Sequence, residues 1–129
     1  MSRPRTYADK TLGDTEYLLE QWGLWRMDGM GVPACVSPAA ALMTQAMPMS
    51  SPKAYRITDE VAVAIDRILA RLMARAPRAG DFVWFYFGAK WPAHRIACQY
   101  SIGEAKVREE LKLAVGWIDS ALEHLRESA

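Results

Sequence analysis

The sequence predicts an all-α protein, a compact multi-helix domain that ends in a helix-turn-helix and a long final helix. Three observations lead to this fold class. Apolar residues recur at helical spacing in several separate segments. The strongest of these segments begins at a typical helix cap and stops at a proline. The chain of 129 residues can build one hydrophobic core, and its single apolar run without periodicity has no partner strand nearby.

Charge and hydropathy exclude two broad classes. A formal net charge of +1 excludes a globally basic nucleic-acid binder. Cations nevertheless outnumber acids between Arg67 and Arg95, so we expect a local positive surface there. The longest apolar run, Phe82 to Phe87, is far shorter than a membrane span, and no signal-type apolar block follows Met1. We therefore expect a cytoplasmic protein with no membrane contact.

Residues suited to metal binding or catalysis are few. The two cysteines, Cys35 and Cys98, form no CxxC pair, and the two histidines are His94 and His124. His94 and Cys98 could share a helix face, but no second pair accompanies them. Glycine-rich phosphate loops, GxSxG and HExxH are also missing from the sequence. We expect no metal, no cofactor and no enzymatic activity.

The N-terminal segment is predicted to hold one helix after a loose arm of residues 1–13. Asp14 has the character of an N-cap for a helix from about Thr15 to Arg26. Trp22 and Trp25 lie on one stripe of that helix. Tryptophans on a stripe suit either the core, which we favour, or a partner-binding surface.

After this first helix, the rest of the N-terminal segment 14–57 contains loops rich in methionine, proline and glycine. An ordered loop is expected from Met27 to Pro38, a short helix from Ala39 to Met47, and a second loop from Pro48 to Pro52. Methionine adapts to irregular contacts. Its abundance here indicates gap filling around the short helix or packing against a partner, and we favour gap filling.

The helical core is predicted to span residues 58–129, and its first helix follows Thr58. Thr58 is a typical N-cap, and the apolar face that follows it continues to Ala76, where Pro77 stops the helix. Arginines recur every four residues on the outer face: Arg67, Arg71 and Arg75. Such a stripe is either a solvated face or a surface that follows phosphates or binds an acidic protein.

Residues Gly80 to Gly88 are almost continuously apolar and aromatic. Periodicity cannot separate a buried strand from a buried helix here. We favour a helix, because Asp81 could cap it, Gly88 could end it, and a lone strand would have no partner. We expect this run to form the centre of the core.

Residues 92–125 have the spacing of a helix-turn-helix. A first helix is expected from about Pro92 to Gln99, a tight turn at Ile102 and Gly103, and a second helix from Glu104 onward. The residues predicted to fill the wedge between the two helices are Ile96, Ala97, Tyr100, Ile102, Val107, Leu111 and Ala114. The same pattern also suits a helical corner that serves only as core.

The stretch RIACQYSIGEAKVREELKLA resembles the helix-turn-helix in region 4 of sigma factors. It differs from that pattern at Ser101, where glycine is usual, at Gly103, where a serine cap is usual, and at Lys106, where threonine is frequent. Together with YLLEQWGLWRMDGMG, ITDEVAVAIDRILARL and FYFGAKWPAHRIA, it makes residues 15–125 resemble the phage late antitermination protein Q family.

Members of that family bind DNA near the phage late promoter, engage paused RNA polymerase that still holds its sigma factor, and let the enzyme read through terminators. The resemblance implies that the second helix enters the major groove of double-stranded DNA. The implied DNA-binding residues are Arg95, Gly103, Glu104, Ala105, Lys106, Arg108, Glu109 and Lys112. The implied polymerase contacts are Trp22, Trp25, Arg26, Met27 and Met30.

The resemblance also allows self-association on DNA. Three other readings of the sequence remain beside it. The protein could be a small phage subunit that recognises DNA for packaging, or a simple helix-turn-helix promoter regulator. Alternatively, the helical pair could be structural, in an interaction module with no affinity for DNA.

Overall fold

The computed structural model describes residues 12–45 and 56–128. Over these residues the chain forms six α-helices, two wider π-helical turns and no β-strand. The helices are α1 Gly13–Trp25, α2 Pro38–Gln45, α3 Asp59–Arg75, α4 Pro77–Val83, α5 Ala93–Tyr100 and α6 Glu104–Ser128. One π-helical turn, Arg26–Met30, follows α1, and the other, Trp84–Gly88, follows α4. The all-α fold with a long final helix is therefore confirmed.

Helix α1 begins earlier than the sequence predicted. Its N-cap is Leu12, in the left-handed conformation with φ of 65°, and the Leu12 carbonyl accepts hydrogen bonds from the amides of Thr15 and Glu16 at 3.1 Å. The prediction of Asp14 as the N-cap is thus wrong. Asp14 lies in the first turn, where its negative charge still suits the helix N-terminus. The predicted arm lies almost entirely outside the described residues.

Helix α3 agrees closely with its prediction. The Thr58 side chain accepts a hydrogen bond from the amide of Val61 at 3.2 Å, and the helix ends at Arg75 with Ala76 as its C-cap. Pro77 then opens α4. Arg67, Arg71 and Arg75 are all exposed, as both interpretations of this stripe require.

The aromatic run forms the centre of the core, as predicted, and it is helical. Phe82, Trp84 and Phe85 are fully buried, and the ring of Trp84 meets Trp22 of α1 edge to face at 5.9 Å between centroids. Helix α1 crosses this run at Gly23, where an added Cβ would lie 2.0 Å from the Phe87 carbonyl oxygen. Only glycine allows this approach without a backbone shift.

The start of the aromatic helix differs from its prediction, although its end at Gly88 is confirmed. Helix α4 begins at Pro77 with Ala76 as its cap, so Asp81 lies inside the helix and does not cap it. The buried Asp81 carboxylate instead accepts hydrogen bonds from the Ser37 amide and hydroxyl, at 3.1 and 2.5 Å. This contact ties the loop before α2 to the core.

Helix α2 begins one residue before its predicted start and is described up to Gln45. Thr44 holds it to the core, because its hydroxyl accepts from Trp84 Nε1 at 3.0 Å and donates to the Ala40 carbonyl at 2.9 Å. Met43 is partly buried against the core, which agrees with gap filling. The predicted residues 46–47 and the second loop, 48–52, lie outside the described residues.

Candidate nucleic-acid interface

Helix α5 and the N-terminal half of α6 form the predicted helix-turn-helix. Helix α5 begins at Ala93, one residue after its predicted start, and Pro92 is its N-cap and not a residue of its first turn. The Pro92 carbonyl accepts from the amides of Arg95 and Ile96 at 3.0 and 3.3 Å. A proline has no amide to leave unpaired at this position.

The end of α5 is closed by a serine in a backbone conformation that favours glycine. Ser101 has φ of 54° and ψ of 43°. Its amide donates to the Cys98 carbonyl at 3.3 Å, and the Ile102 amide donates to the Ala97 carbonyl at 3.0 Å. This pair of bonds is the Schellman motif, in which the left-handed residue is usually glycine. The turn therefore forms with serine in that place.

Gly103 is the N-cap of α6, as predicted. Its carbonyl accepts from the amides of Lys106 and Val107 at 3.1 and 3.2 Å. Gly103 provides no side-chain acceptor for the free amides of the first turn. Those amides and the positive end of the helix dipole therefore face the exterior with Gly103.

The wedge between the two helices contains the residues that the sequence predicted for it. Five of its members are buried: Ile96, Ala97, Val107, Leu111 and Ala114. Tyr100 and Ile102 are partly buried and pack against the same core. Because α6 buries Val107 and Leu111, Arg108 and Glu109 between them point outward and are exposed.

Seven predicted DNA-binding residues make up one exposed surface on α6, which we call the α6 surface: Gly103, Glu104, Ala105, Lys106, Arg108, Glu109 and Lys112. Arg95 is also exposed, but it lies on α5. Its guanidinium carbon lies 3.9 Å from the centroid of the Trp91 ring, a cation–π contact that orients the side chain. The structure thus brings all eight predicted residues to the exterior of the helix-turn-helix.

Ion pairs within α6 hold the charged side chains of this surface. Arg108 Nη2 lies 2.9 Å from Glu104 Oε2, and Lys106 Nζ lies 3.6 Å from Glu109 Oε1. These four side chains are about half exposed. Pairs of this kind contribute only about 0.3–0.5 kcal/mol each. Arg108 and Lys106 can therefore leave their partners for a phosphate or a base at small cost.

A third acid of α6, Glu110, pairs with a residue of another helix, and the sequence did not predict this contact. Arg78 of α4 donates to both carboxylate oxygens of Glu110, from Nε at 3.0 Å and from Nη2 at 2.5 Å. The hydrogen bond and the charge of Glu110 raise the pKa of Arg78 above its ordinary value. The two residues lie 32 positions apart, so no local spacing could have revealed their contact.

A cleft runs beside the α6 surface, between α1 and α6. One part has a volume of about 340 Å³, and an adjoining part has about 260 Å³. Arg108 and Tyr86 line both parts, and Lys112 lines the larger one opposite Glu16 of α1. Two cations of the α6 surface thus also border a concave face that the sequence did not predict.

The residues predicted to contact polymerase are largely buried. Trp22 Nε1 and Arg26 Nη1 each donate to the Asp66 carboxylate of α3 at 2.9 Å, and Trp25 Nε1 donates to Asp59 Oδ1 at 2.8 Å. All three donor residues are at most 8% exposed. The core interpretation of the two tryptophans is therefore confirmed. These side chains fasten α1 and the turn after it to α3.

The remaining members of that predicted set differ in position. Met27 is partly buried against the core. The Met30 backbone ends the turn Arg26–Met30, and the described residues do not include its side chain. Direct polymerase contact through Trp22, Trp25 or Arg26 would require these buried side chains to leave the fold, because a partner cannot reach them as they lie.

The described residues include no group of three or more His, Cys, Asp or Glu side chains that could hold a metal ion. Separately, no helix in this part of the chain combines the length and the apolar character that a membrane span requires.

Comparison with known proteins gives one consistent result. A sequence profile of the family described as "Phage antitermination protein Q" matches residues 13–128. The chain is also 28% identical over 111 residues to the "Probable antitermination protein Q" of Acyrthosiphon pisum secondary endosymbiont phage 1, covering 84% of this chain and 74% of that protein. No solved structure matches the chain. The matched region includes the helix-turn-helix and the aromatic core.

Proposed function

The chain belongs to the phage antitermination protein Q family, a family of phage transcription regulators. On that premise we propose that it binds double-stranded DNA near the phage late promoter and modifies paused RNA polymerase, so that the enzyme reads through terminators. The protein then acts by binding DNA and polymerase and carries out no catalysis of its own. Its site of action is the cytoplasm of the bacterial host, where both partners are found.

The observation that supports DNA binding best is the α6 surface. Val107 and Leu111 anchor one side of the helix in the core, and the opposite side presents charged groups beside an N-terminus that has no side-chain cap. A helix anchored in this way can enter a major groove about 12 Å wide with its first turns foremost. Glu104, Arg108 and the small Ala105 would then face base edges.

Phosphate contacts would flank these base contacts. Lys106 and Lys112 of α6 and Arg95 of α5 are exposed cations on the same helix-turn-helix. Phosphate contacts fix the register of a protein on DNA, and base contacts supply the specificity. The protein has a net charge of only +1, so its affinity for DNA of random sequence should be low. Self-association on DNA, or polymerase held nearby, would add the missing affinity.

Polymerase that holds its sigma factor is the second proposed partner. Within the turn that begins at Arg26, Asp28 and Gly29 are exposed and could meet polymerase, and the buried Arg26 would act by holding the turn in shape. The Arg26 side chain supports this shape, because its Nε donates to the Gly31 carbonyl at 2.9 Å. Polymerase contact in this segment would thus depend on Arg26 indirectly.

In vitro transcription tests the proposal. The template carries a late promoter of the phage that encodes the protein and a downstream terminator, and purified bacterial polymerase is used with and without the protein. We expect readthrough only when both the protein and the upstream promoter DNA are present. Specific DNA binding without readthrough would favour the packaging or promoter-regulator readings, and absence of both would favour an interaction module.

A further inference from the structure

The acids at the start of α6 are each neutralised by a cation, but in two different ways. Glu104 and Glu109 pair with cations of α6 itself. Glu110 pairs with Arg78 of α4, and its side chain is only 15% exposed. Among the described ion pairs of these three acids, only Arg78–Glu110 connects α6 to another helix.

The geometry of this contact restricts how α6 can rotate. A guanidinium that donates to both oxygens of a carboxylate fixes the plane and the distance of the two groups. Glu110 directly precedes the buried Leu111, at the edge between the core side of α6 and the α6 surface. A contact at this edge sets the angle at which the α6 surface faces outward.

Arg78 is linked to the end of α5 indirectly, through Phe82 of its own helix. Its guanidinium carbon lies 5.8 Å from the centroid of the Phe82 ring, and that ring meets Tyr100 edge to face at 4.9 Å. Tyr100 is the last residue of α5. Arg78 therefore lies where α4, the end of α5 and the second turn of α6 meet.

We propose that Arg78 is a positioning residue for DNA recognition: through Glu110 it fixes the angle of α6 in the groove. This inference rests on the proposed DNA-binding function and goes beyond it by assigning a role to a residue outside the helix-turn-helix. Arg78 itself does not contact DNA in this account.

The test uses the full-length protein and two short DNA duplexes. One is the sequence that the wild-type protein enriches from a random library, and the other is a scrambled version of it. Arg78→Ala is compared with Arg71→Ala, which removes the same charge from an exposed position on α3. A double variant, Arg78→Glu with Glu110→Arg, restores a pair of reversed polarity. Melting temperatures confirm that each variant is folded at the assay temperature.

We expect Arg78→Ala to weaken binding of the selected duplex about tenfold while binding of the scrambled duplex changes much less, since coupled contacts typically act on this scale. Arg71→Ala should leave the ratio of the two affinities unchanged, and the double variant should recover most of it. The slope of affinity against salt should stay as in the wild type for Arg78→Ala, because no phosphate contact is lost.

Three results would overturn the inference. If Arg78→Ala and Arg71→Ala give the same affinity ratio, Arg78 does not position α6, while the DNA-binding function stands. If Arg78→Ala reduces the salt slope by about one for both duplexes, Arg78 contacts phosphate directly. If the wild-type protein enriches no sequence, the proposed DNA-binding function fails and the positioning role fails with it.

Discussion

Replacing Arg108 by alanine separates the stability of the fold from DNA recognition. In the free protein Arg108 contacts Glu104 of the preceding turn at 2.9 Å, and the two side chains are 61% and 45% exposed. A pair this exposed contributes only about 0.3–0.5 kcal/mol to stability. Alanine also has the highest helix propensity, which offsets part of that loss. The free energy of unfolding should therefore change by no more than about 0.5 kcal/mol.

The expected effect on DNA binding is larger. An arginine that donates two hydrogen bonds to a guanine contributes about 1–3 kcal/mol of discrimination. At about 1.4 kcal/mol per factor of ten, Arg108→Ala should weaken binding of the preferred sequence by roughly 5- to 150-fold. Release from Glu104 before binding costs less than this gain, so the ion pair in the free protein does not prevent the contact.

Two measurements on the same protein preparation check this prediction. Urea unfolding gives the free energy of unfolding, and an equilibrium shift assay gives the affinity for the enriched duplex and for its scrambled version. Arg71→Ala serves as the charge-matched control, because Arg71 is exposed on α3. If Arg108→Ala binds the enriched duplex as the wild type does, the α6 surface does not read DNA bases and the assignment of α6 is refuted.

Three further predictions concern neighbouring features. Lys112→Ala should weaken binding of every duplex to a similar extent and lower the salt slope by about one, whereas an effect confined to the enriched sequence would indicate a base contact. Ser101→Gly should raise the free energy of unfolding, measured in urea, by up to about 1 kcal/mol. Glycine relieves the strain of the left-handed backbone, about 1–2 kcal/mol, and this exceeds the cost of the entropy that it adds to the unfolded chain, about 0.5–1 kcal/mol. A lower stability would contradict the Schellman assignment. Asp66→Ala should destabilise the fold by about 3 kcal/mol, because it removes the acceptor of Trp22 and the counter-charge of the buried Arg26. An effect as small as that of the exposed neighbour variant Arg67→Ala would show that this cluster does not hold α1 to α3.

Elements controlled by local spacing could be predicted from the sequence. Thr58, the apolar face after it and Pro77 lie within one continuous segment, and the observed α3 begins and ends within one residue of its predicted bounds. The wedge of the helix-turn-helix was also predicted, since buried positions on a helix repeat every three or four residues. Even the unusual Ser101 occupies the turn position that the family pattern gives to glycine.

Features that depend on distant partners could not be predicted in the same way. Asp81 has the local character of a helix cap, but its carboxylate instead accepts hydrogen bonds from Ser37, which lies 44 positions away. The choice between core and partner surface for Trp22 depended on its contact with Asp66, another helix away. The sequence alone does not give these pairings. It therefore favoured the core for Trp22 and Trp25 without excluding a partner surface, and it did not predict the contact between Arg78 and Glu110.

The most direct test of the central claim measures, in one transcription assay, whether terminator readthrough depends on the α6 surface. Wild-type protein, Arg108→Ala and a control, Arg56→Ala, are compared on templates with and without the late-promoter DNA upstream of the terminator. Arg56 is exposed and lies outside the helix-turn-helix and the arginine stripe of α3. We predict that the wild type and Arg56→Ala give readthrough that requires the upstream DNA, and that Arg108→Ala loses most of it. Equal readthrough by all three proteins would contradict the claim that the first turns of α6 bring this protein to its DNA.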